Sequence, residues 1–489
     1  MDTFNKKSLC VALAATGVLG AAGVAQAVNV SADGLGNVLI YPYYTVNKDL
    51  NGNSFNTLMS VVNTTASTKA VKVRFREGKN SVEVLDFNVF LSPWDVWTAA
   101  ITPASAGGAQ ITTSDKSCTI PSFYNAAGVA QQIPFRTLNL EATDNGLART
   151  TEGYFEIFEM ATYTAASVIG VNSLHSGGVP KNCALVTDAT AFAEKQPPNG
   201  GLFGSATILS PAGGGMFSQT PTALANFKAA AAYFDTGSTS PTYGDADPVS
   251  NVIFDTKLYQ TTWGALPLGG TGFNAVTATL MAQTVTNEYV LDIGSKSQTT
   301  WIVTLPTKFN YVNAAAAIAP FTAKYVTKVG ACENFYGVVF NREEGSPQII
   351  SGTDFSPQPG PGSGPQLCWE AQSIGFASTG GGTASSNIFG SANHNSISTP
   401  YVNGWTTLGW NGSVAPAEHS LVATALGTTV IDLTGVAGPL LGQSVTYFGL
   451  PVVGFAAETF QNDAIVVNGK TYLSTFGAAF PHHAVKKIQ

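Results

Sequence analysis

Residues 70–76 read Ala-Val-Lys-Val-Arg-Phe-Arg, with Val71, Val73 and Phe75 on one face and Lys72, Arg74 and Arg76 on the other. A period of two cannot form a helical apolar stripe and demands a half-buried antiparallel strand. Glu77-Gly78-Lys79-Asn80 supplies a turn, and residues 81–90 run back. In that return, Val82, Val84, Phe87 and Val89 change face near Leu85-Asp86, as a β-bulge would allow. The two segments predict a hairpin.

Neighbouring runs extend the pattern. Residues 38–46 are rich in β-branched and aromatic side chains, with Pro42 marking an edge or a bulge. Residues 56–63 form another such run, and short candidates recur to residue 473, set apart by Gly, Pro, Asn and Ser. This spacing predicts a mainly β chain of antiparallel sandwich or jelly-roll-like domains with long Gly/Pro-rich loops. One or two short helices are expected, at 220–234 (Pro221 in the first turn, Ala-rich within) and at 314–317 before Pro320. The expected organisation is an N-terminal sandwich over 28–165, a loop-rich insertion with a short helix over 166–285, and a C-terminal sandwich over 286–489. A low-complexity stretch at 356–365 reads as a surface loop.

Lys6 and Lys7 precede an apolar run over 9–24, and Ala25-Gln26-Ala27 follows it. That layout is a secretory signal peptide cut before Val28, so the expected location is extracellular or at the cell surface. Loss of Asp2, Lys6 and Lys7 takes the 23 basic and 30 acidic residues to 21 and 29, a net charge of −8. Such an acidic balance disfavours nucleic acid and docking on anionic lipid. Charged residues make up 11% of the chain, against about a quarter in soluble domains. A weakly charged, β-prone surface suits a protein that packs against copies of itself.

After the signal, Cys118, Cys183, Cys332 and Cys368 remain. An even count in an exported chain points to disulfides, and four cysteines allow three connectivities. Pairing of sequence neighbours is expected. No CxxC or paired-His spacing supports a metal site instead.

Catalytic signatures are missing from the sequence: no HExxH, Gly-x-Ser-x-Gly, GxGxxG or P-loop occurs, and no catalysis is expected. His482-His483 beside Lys486-Lys487 reads as a solvated tail. Calcium is the ion the loops would best suit, through Asp245 and Asp247 in the segment 244–248. Asp49-Leu50-Asn51-Gly52-Asn53 resembles the opening of an EF-hand loop but has Ser60 where the bidentate Glu belongs. At both places an Asx-type turn competes with the metal reading. Trp94 with Trp97, and Trp405 with Trp410, are candidates for stacking on sugar rings; filling of the core is the competing account.

The runs GNVLIYPYYTV, FNTLMSVVNTT and KAVKVRFREGKNSVEVLDFNVFLSPWDVWTAAI resemble the start of large secreted proteins of Gram-negative bacteria. TTWIVTLPTKFNY, FNREEGSP and GLPVVGFAAETFQN continue the resemblance. It implies a surface location and β-structure, and assigns no residue a role. Low charge and few Cys and Met are similar to surface-layer proteins in composition. The expected function is therefore structural, self-association into a surface layer or coat without catalysis. A cell-surface glycan-binding, adhesin-like module is the alternative, ahead of an outer-membrane barrel.

Overall fold

The computed structural model describes residues 27–267, 270–345, 348–349, 366–410, 419–423, 427–435, 440–461, 465–472 and 475–489. The expected signal segment, apart from Ala27, and the loop expected at 356–365 lie outside them. Strand accounts for 46% of the described residues and helix for 8%, and the sheets stack in pairs as sandwiches.

The first sandwich is framed by β1 (Val38–Thr45), β2 (Asn56–Asn63), β3 (Thr68–Glu77), β4 (Glu83–Leu91), β5 (Val96–Pro103), β6 (Glu152–Tyr163) and β7 (Leu202–Leu209). One seven-stranded sheet runs Asn29–Val30, Thr222–Ala225, β1, β6, β3, β4, Thr119–Ile120. The six-stranded sheet facing it runs Met216–Gln219, β7, β2, β5, Ala109–Thr112, Ile133–Pro134. Leu39, Tyr41, Val61, Val71, Val73, Phe75, Phe87 and Trp97 fill the space between, each fully or almost fully buried. Burial of an aliphatic or aromatic side chain of this size contributes about 1.5–3 kcal/mol, so these few side chains dominate the sandwich's stability.

The expected hairpin is β3 with β4, antiparallel, Val73 opposite Phe87 and Arg74 opposite Asp86. Its register slips between Phe75 and Arg76, leaving Val84 as the extra residue of a bulge. Pro42 also sits at a bulge, because Tyr41 pairs with Phe155 while Tyr44 pairs with Gly153. A residue without an N–H fits where the ladder is already interrupted.

One expectation for the hairpin fails. Lys72 and Arg74 do not face water: both side chains are buried beneath a segment spanning residues 233–241. The sequence distant by some 160 residues supplies the cover, and its carbonyl groups replace water as acceptors.

The second sandwich is framed by β8 (Thr284–Val290), β9 (Gln298–Thr304), β10 (Ala371–Ser378), β11 (Asn403–Gly409) and β12 (Val453–Gln461). One sheet runs Gln348–Ile349, Tyr336–Asn341, β11, β8, His483–Val485, and the other His394–Thr399, β10, β9, β12, Thr475–Pro481. Among the described strands, only His394–Thr399 pairs in parallel, with β10. Tyr289, Trp301, Val303, Ile374, Phe376 and Leu408 lie in its core. A four-stranded sheet of Val249–Phe254, Lys257–Thr262, Thr428–Asp432 and Leu440–Leu441 adjoins this half. The two sandwiches meet through a buried cluster that includes Tyr43, Phe55, Phe217, Ile302, Phe389 and Phe455.

Helix placement differs from expectation. Residues 220–234 hold no helix; Thr222–Ala225 is a strand whose Ala223 and Leu224 point into different cores. Pairing with β1 satisfies its backbone, and that outweighs the helix propensity of the alanines. Asn226, with φ +54°, then turns the chain away. Residues 314–317 hold no helix: 313–316 are bends after a single helical turn, Phe309–Val312. The longest helix of the described residues is Phe273–Leu280, with Ala275, Val276 and Ala278 buried. Within the segment expected to be an insertion, residues 202–225 supply three strands to the first sandwich.

Candidate functional site

Both expected cysteine pairs are bonded. Cys118 joins Cys183, at the start of a helical turn, and Cys332 joins Cys368. The first bridge lies beside a small apolar cluster of Phe90, Met160, Tyr163 and Ile169, on the outer side of the seven-stranded sheet.

The candidate calcium carboxylates are engaged with backbone. Asp245 Oδ2 accepts from Thr242 N at 2.8 Å in a capping box, and Asp247 Oδ2 accepts from Ala229 N at 2.8 Å. Asp49 Oδ1 accepts from Asn51 N and Asn53 N, which is the Asx-turn geometry. Among the described residues no group of three or more His, Cys, Asp or Glu is gathered as a metal ligand set.

Each tryptophan pair is split between core and surface. Trp97 and Trp410 are buried at 0% and 1% exposure, while Trp94 is 69% and Trp405 42% exposed. Trp94 sits at positive φ in the turn before β5. Trp405 lies on the outer face of its sheet, stacked on Phe340 of the neighbouring strand with centroids 4.1 Å apart and planes at 10°. Glu288 is its partner on the other side.

Ser92, Asp95 and His175 also come together. Ser92 Oγ and Asp95 Oδ2 lie 3.2 Å and 3.7 Å from the same imidazole nitrogen, Nδ1. A nucleophile relay needs the two partners on opposite ring nitrogens, so this is not the geometry of a serine hydrolase. A cleft of about 290 Å³ opens between the sandwiches, lined by Asp49, Phe55, Phe217, Gln298, Ile388 and Thr459 among others. Its one carboxylate is already held by the Asx turn.

Charge is divided sharply between the two outer faces of the first sandwich. On the seven-stranded sheet, Lys72 pairs with Asp86 at 2.8 Å, Arg74 with Glu83 at 2.5 Å and Arg76 with Glu156 at 3.3 Å. The covering segment completes this layer: Lys72 Nζ donates to Asp235 O, Arg74 Nη1 to Thr239 O and Pro241 O, and Gly237 N to Asp86. Desolvation of such ions is costly, and these acceptors offset it.

The opposite outer face carries no charge at any outward position of its strands. β2 presents Leu58, Ser60 and Val62; β5 presents Val96, Thr98 and Ala100; β7 presents Phe203, Ser205 and Thr207. Met216 and Ser218 continue it on the next strand. Hydroxyl pairs cross the strands, Ser60 with Ser205 at 3.2 Å and Thr207 with Ser218 at 3.0 Å. Leu58, Val96, Phe203 and Met216 are each more than 40% exposed. Chemically, this face offers apolar contact and neutral hydrogen bonding. Of these strands, residues 56–63 were expected from the sequence, whereas 202–209 falls in the segment expected to be a loop-rich insertion, and nothing local shows that the strands share one sheet.

No family model, no curated protein and no solved structure matches the chain.

Proposed function

We propose that this is an exported structural protein that self-associates at the cell surface through the outer face of the six-stranded sheet, binding a second copy of the same chain. The observation that carries this reading is the absence of charge from every outward strand position of that face, although the opposite face concentrates its charges under a cover. A broad uncharged face with several exposed apolar side chains is what an interaction surface presents. Low overall charge keeps self-repulsion small when copies crowd together.

The test is the assembly state of the processed chain, by sedimentation velocity and electron microscopy, with and without calcium. Oligomers or ordered arrays are expected, and Phe203→Glu and Thr98→Lys should return monomers with unchanged thermal stability. A wild-type chain that remains monomeric at high concentration and forms no array overturns the proposal.

A second reading rests on Trp405 and Phe340. Trp405 is 42% exposed beside Glu288, and Phe340 covers one face of its indole, so a sugar would pack against the remaining face and edge of that ring. Loss of glycan-array binding on Trp405→Ala, with the assembly state unchanged, would favour that reading.

A further inference from the structure

Lys69 is out of place. It opens β3 on the same side as Val71, Val73 and Phe75, so a cation points into the interior of the first sandwich, with 0% of its surface exposed. Its Nζ lies 2.5 Å from Glu159 Oε1, and that pair too is fully buried. Replacing a buried ion pair by an apolar pair of similar size is often neutral or stabilising. Stability alone therefore does not explain these two residues.

A third group completes the set. Lys69 Nζ donates to the side-chain Oδ1 of Asn199, on the loop that enters β7 of the opposite sheet. Glu159 holds both partners at once, since Oε1 also accepts from Asn199 N at 3.1 Å and Oε2 accepts from Gly200 N at 2.8 Å. Asn37 Nδ2 donates to Oε2 at 2.8 Å and fixes the carboxylate. The Asn199 amide nitrogen points the other way, toward Ser67 Oγ at 3.2 Å on the exposed side. An amine, a carboxamide and a carboxylate are thus gathered with the amine buried and the amide nitrogen facing water.

We infer that Lys69 and Asn199 are joined by an intramolecular isopeptide bond, formed by the chain itself with Glu159 as the proton-transfer group. Glu159 takes a proton from the Lys69 ammonium, leaving a neutral amine. Nζ attacks Cγ of Asn199, and the Cγ–Nζ bond forms. Glu159 returns the proton to Nδ2 as the Cγ–Nδ2 bond breaks. One ammonia leaves through the exposed side, where it takes up the remaining proton as ammonium. No oxidant or cofactor is required. Burial already pulls the Lys69 ammonium below the usual lysine range, which eases the first step. Holding the groups in contact removes most of the entropic barrier to a reaction that is negligible between free side chains. The product would tie β3 of one sheet to the loop entering β7 of the other, a covalent closure between residues 130 apart that reducing agents cannot open.

The experiment is mass spectrometry of the purified exported chain, reduced and denatured. The expected result is an intact mass lower than the sequence by one ammonia. A tryptic digest should contain a branched peptide carrying Lys69 and Asn199, with no cleavage after Lys69. Asn199→Ala changes an exposed side chain, and that variant should fold normally and show the full mass. Glu159→Gln should also show the full mass, with folding followed by circular dichroism. A wild-type chain at full mass, with separate Lys69 and Asn199 peptides, overturns the inference and leaves only a buried ion pair. A deficit that persists in Asn199→Ala overturns the assignment to this site.

Discussion

Ser81 donates its hydroxyl to Glu370 Oε2 across 2.7 Å, bridging the tip of the β3–β4 hairpin and the strand edge of the second sandwich. The hydroxyl in turn receives the Tyr154 phenol at 2.8 Å. Beside it, Gly78 O accepts from Glu370 N at 3.0 Å and Ala371 N at 2.8 Å. The hairpin end is therefore a plug inserted into the other half of the molecule. Burial pushes the Glu370 carboxyl above the usual range, and the nearby Lys308 cation opposes that push.

Ser81→Ala removes the donor to a buried carboxyl and one of two acceptors of a buried phenol, Pro306 O at 3.1 Å being the other. It is expected to cost about 1–3 kcal/mol in chemical denaturation. Gly78→Val should do at least as much, because a Cβ there would lie 2.8 Å from Asn393 Nδ2 and 3.0 Å from Ala371 O. Unchanged midpoints for both variants would show that the plug contributes nothing to the union of the two halves.

The four tryptophans separate by stability. Trp97→Ala and Trp410→Ala empty core positions and should each cost about 3–5 kcal/mol in denaturant titrations. Trp94→Ala, at an exposed turn, should stay within about 0.5 kcal/mol of wild type. Trp405→Ala loses one stacked ring contact at the surface, so a loss of about 1 kcal/mol is expected.

The Cys118–Cys183 bridge closes a separation of 65 residues. Cys118→Ser with Cys183→Ser is expected to lower stability by about 4 kcal/mol in the chain-entropy account. Cys118 is 2% exposed, so the reduced wild type should resist alkylation at that thiol until it unfolds. Rapid labelling of Cys118 in the folded, reduced protein would contradict this placement.

The sequence made the local part of this architecture legible and hid what depends on distant partners. Alternation at 70–76 and the face change near Leu85 were readable, because each is set by residues close in the chain; the pairing of neighbouring cysteines was expected and is observed, but the sequence alone allowed three connectivities. The buried state of Lys72 and Arg74 was not, since its cause is a cover drawn from 233–241. Alternation reports which side a residue faces and says nothing about what lies over that side. Likewise Thr222–Ala225 became a strand because β1 needed an edge partner, against the propensity of its alanines. His482 beside two lysines read as a solvated tail, yet Nε2 bonds to Ile302 O at 3.0 Å inside the second sandwich. The uncharged face was spread over three separated strands, and Lys69, Glu159 and Asn199 over 130 positions. Neither has a local signature.

Glu458 provides a test by pH. It is 4% exposed on β12, and Oε1 has no hydrogen-bond partner among the described residues. Burial, with the Glu288 carboxylate adding to it, pushes its carboxyl up to about 7 from an ordinary value of 4.5. A raised acid binds its proton more tightly when folded, so its contribution is fully present below about pH 4.5 and is lost as pH rises through about 7. The loss amounts to about 3 kcal/mol. His394 and His482 act in the opposite sense: burial holds both down to about 4, so the folded state gains stability from them as pH rises from about 4 to 6.5. The wild-type curve mixes these effects, and the difference between wild type and Glu458→Gln isolates the carboxyl. Relative to that variant, the wild type should lose stability progressively between pH 4.5 and 7 and level off above it. A difference that stays flat across the window in denaturant titrations would place the Glu458 carboxyl in contact with water.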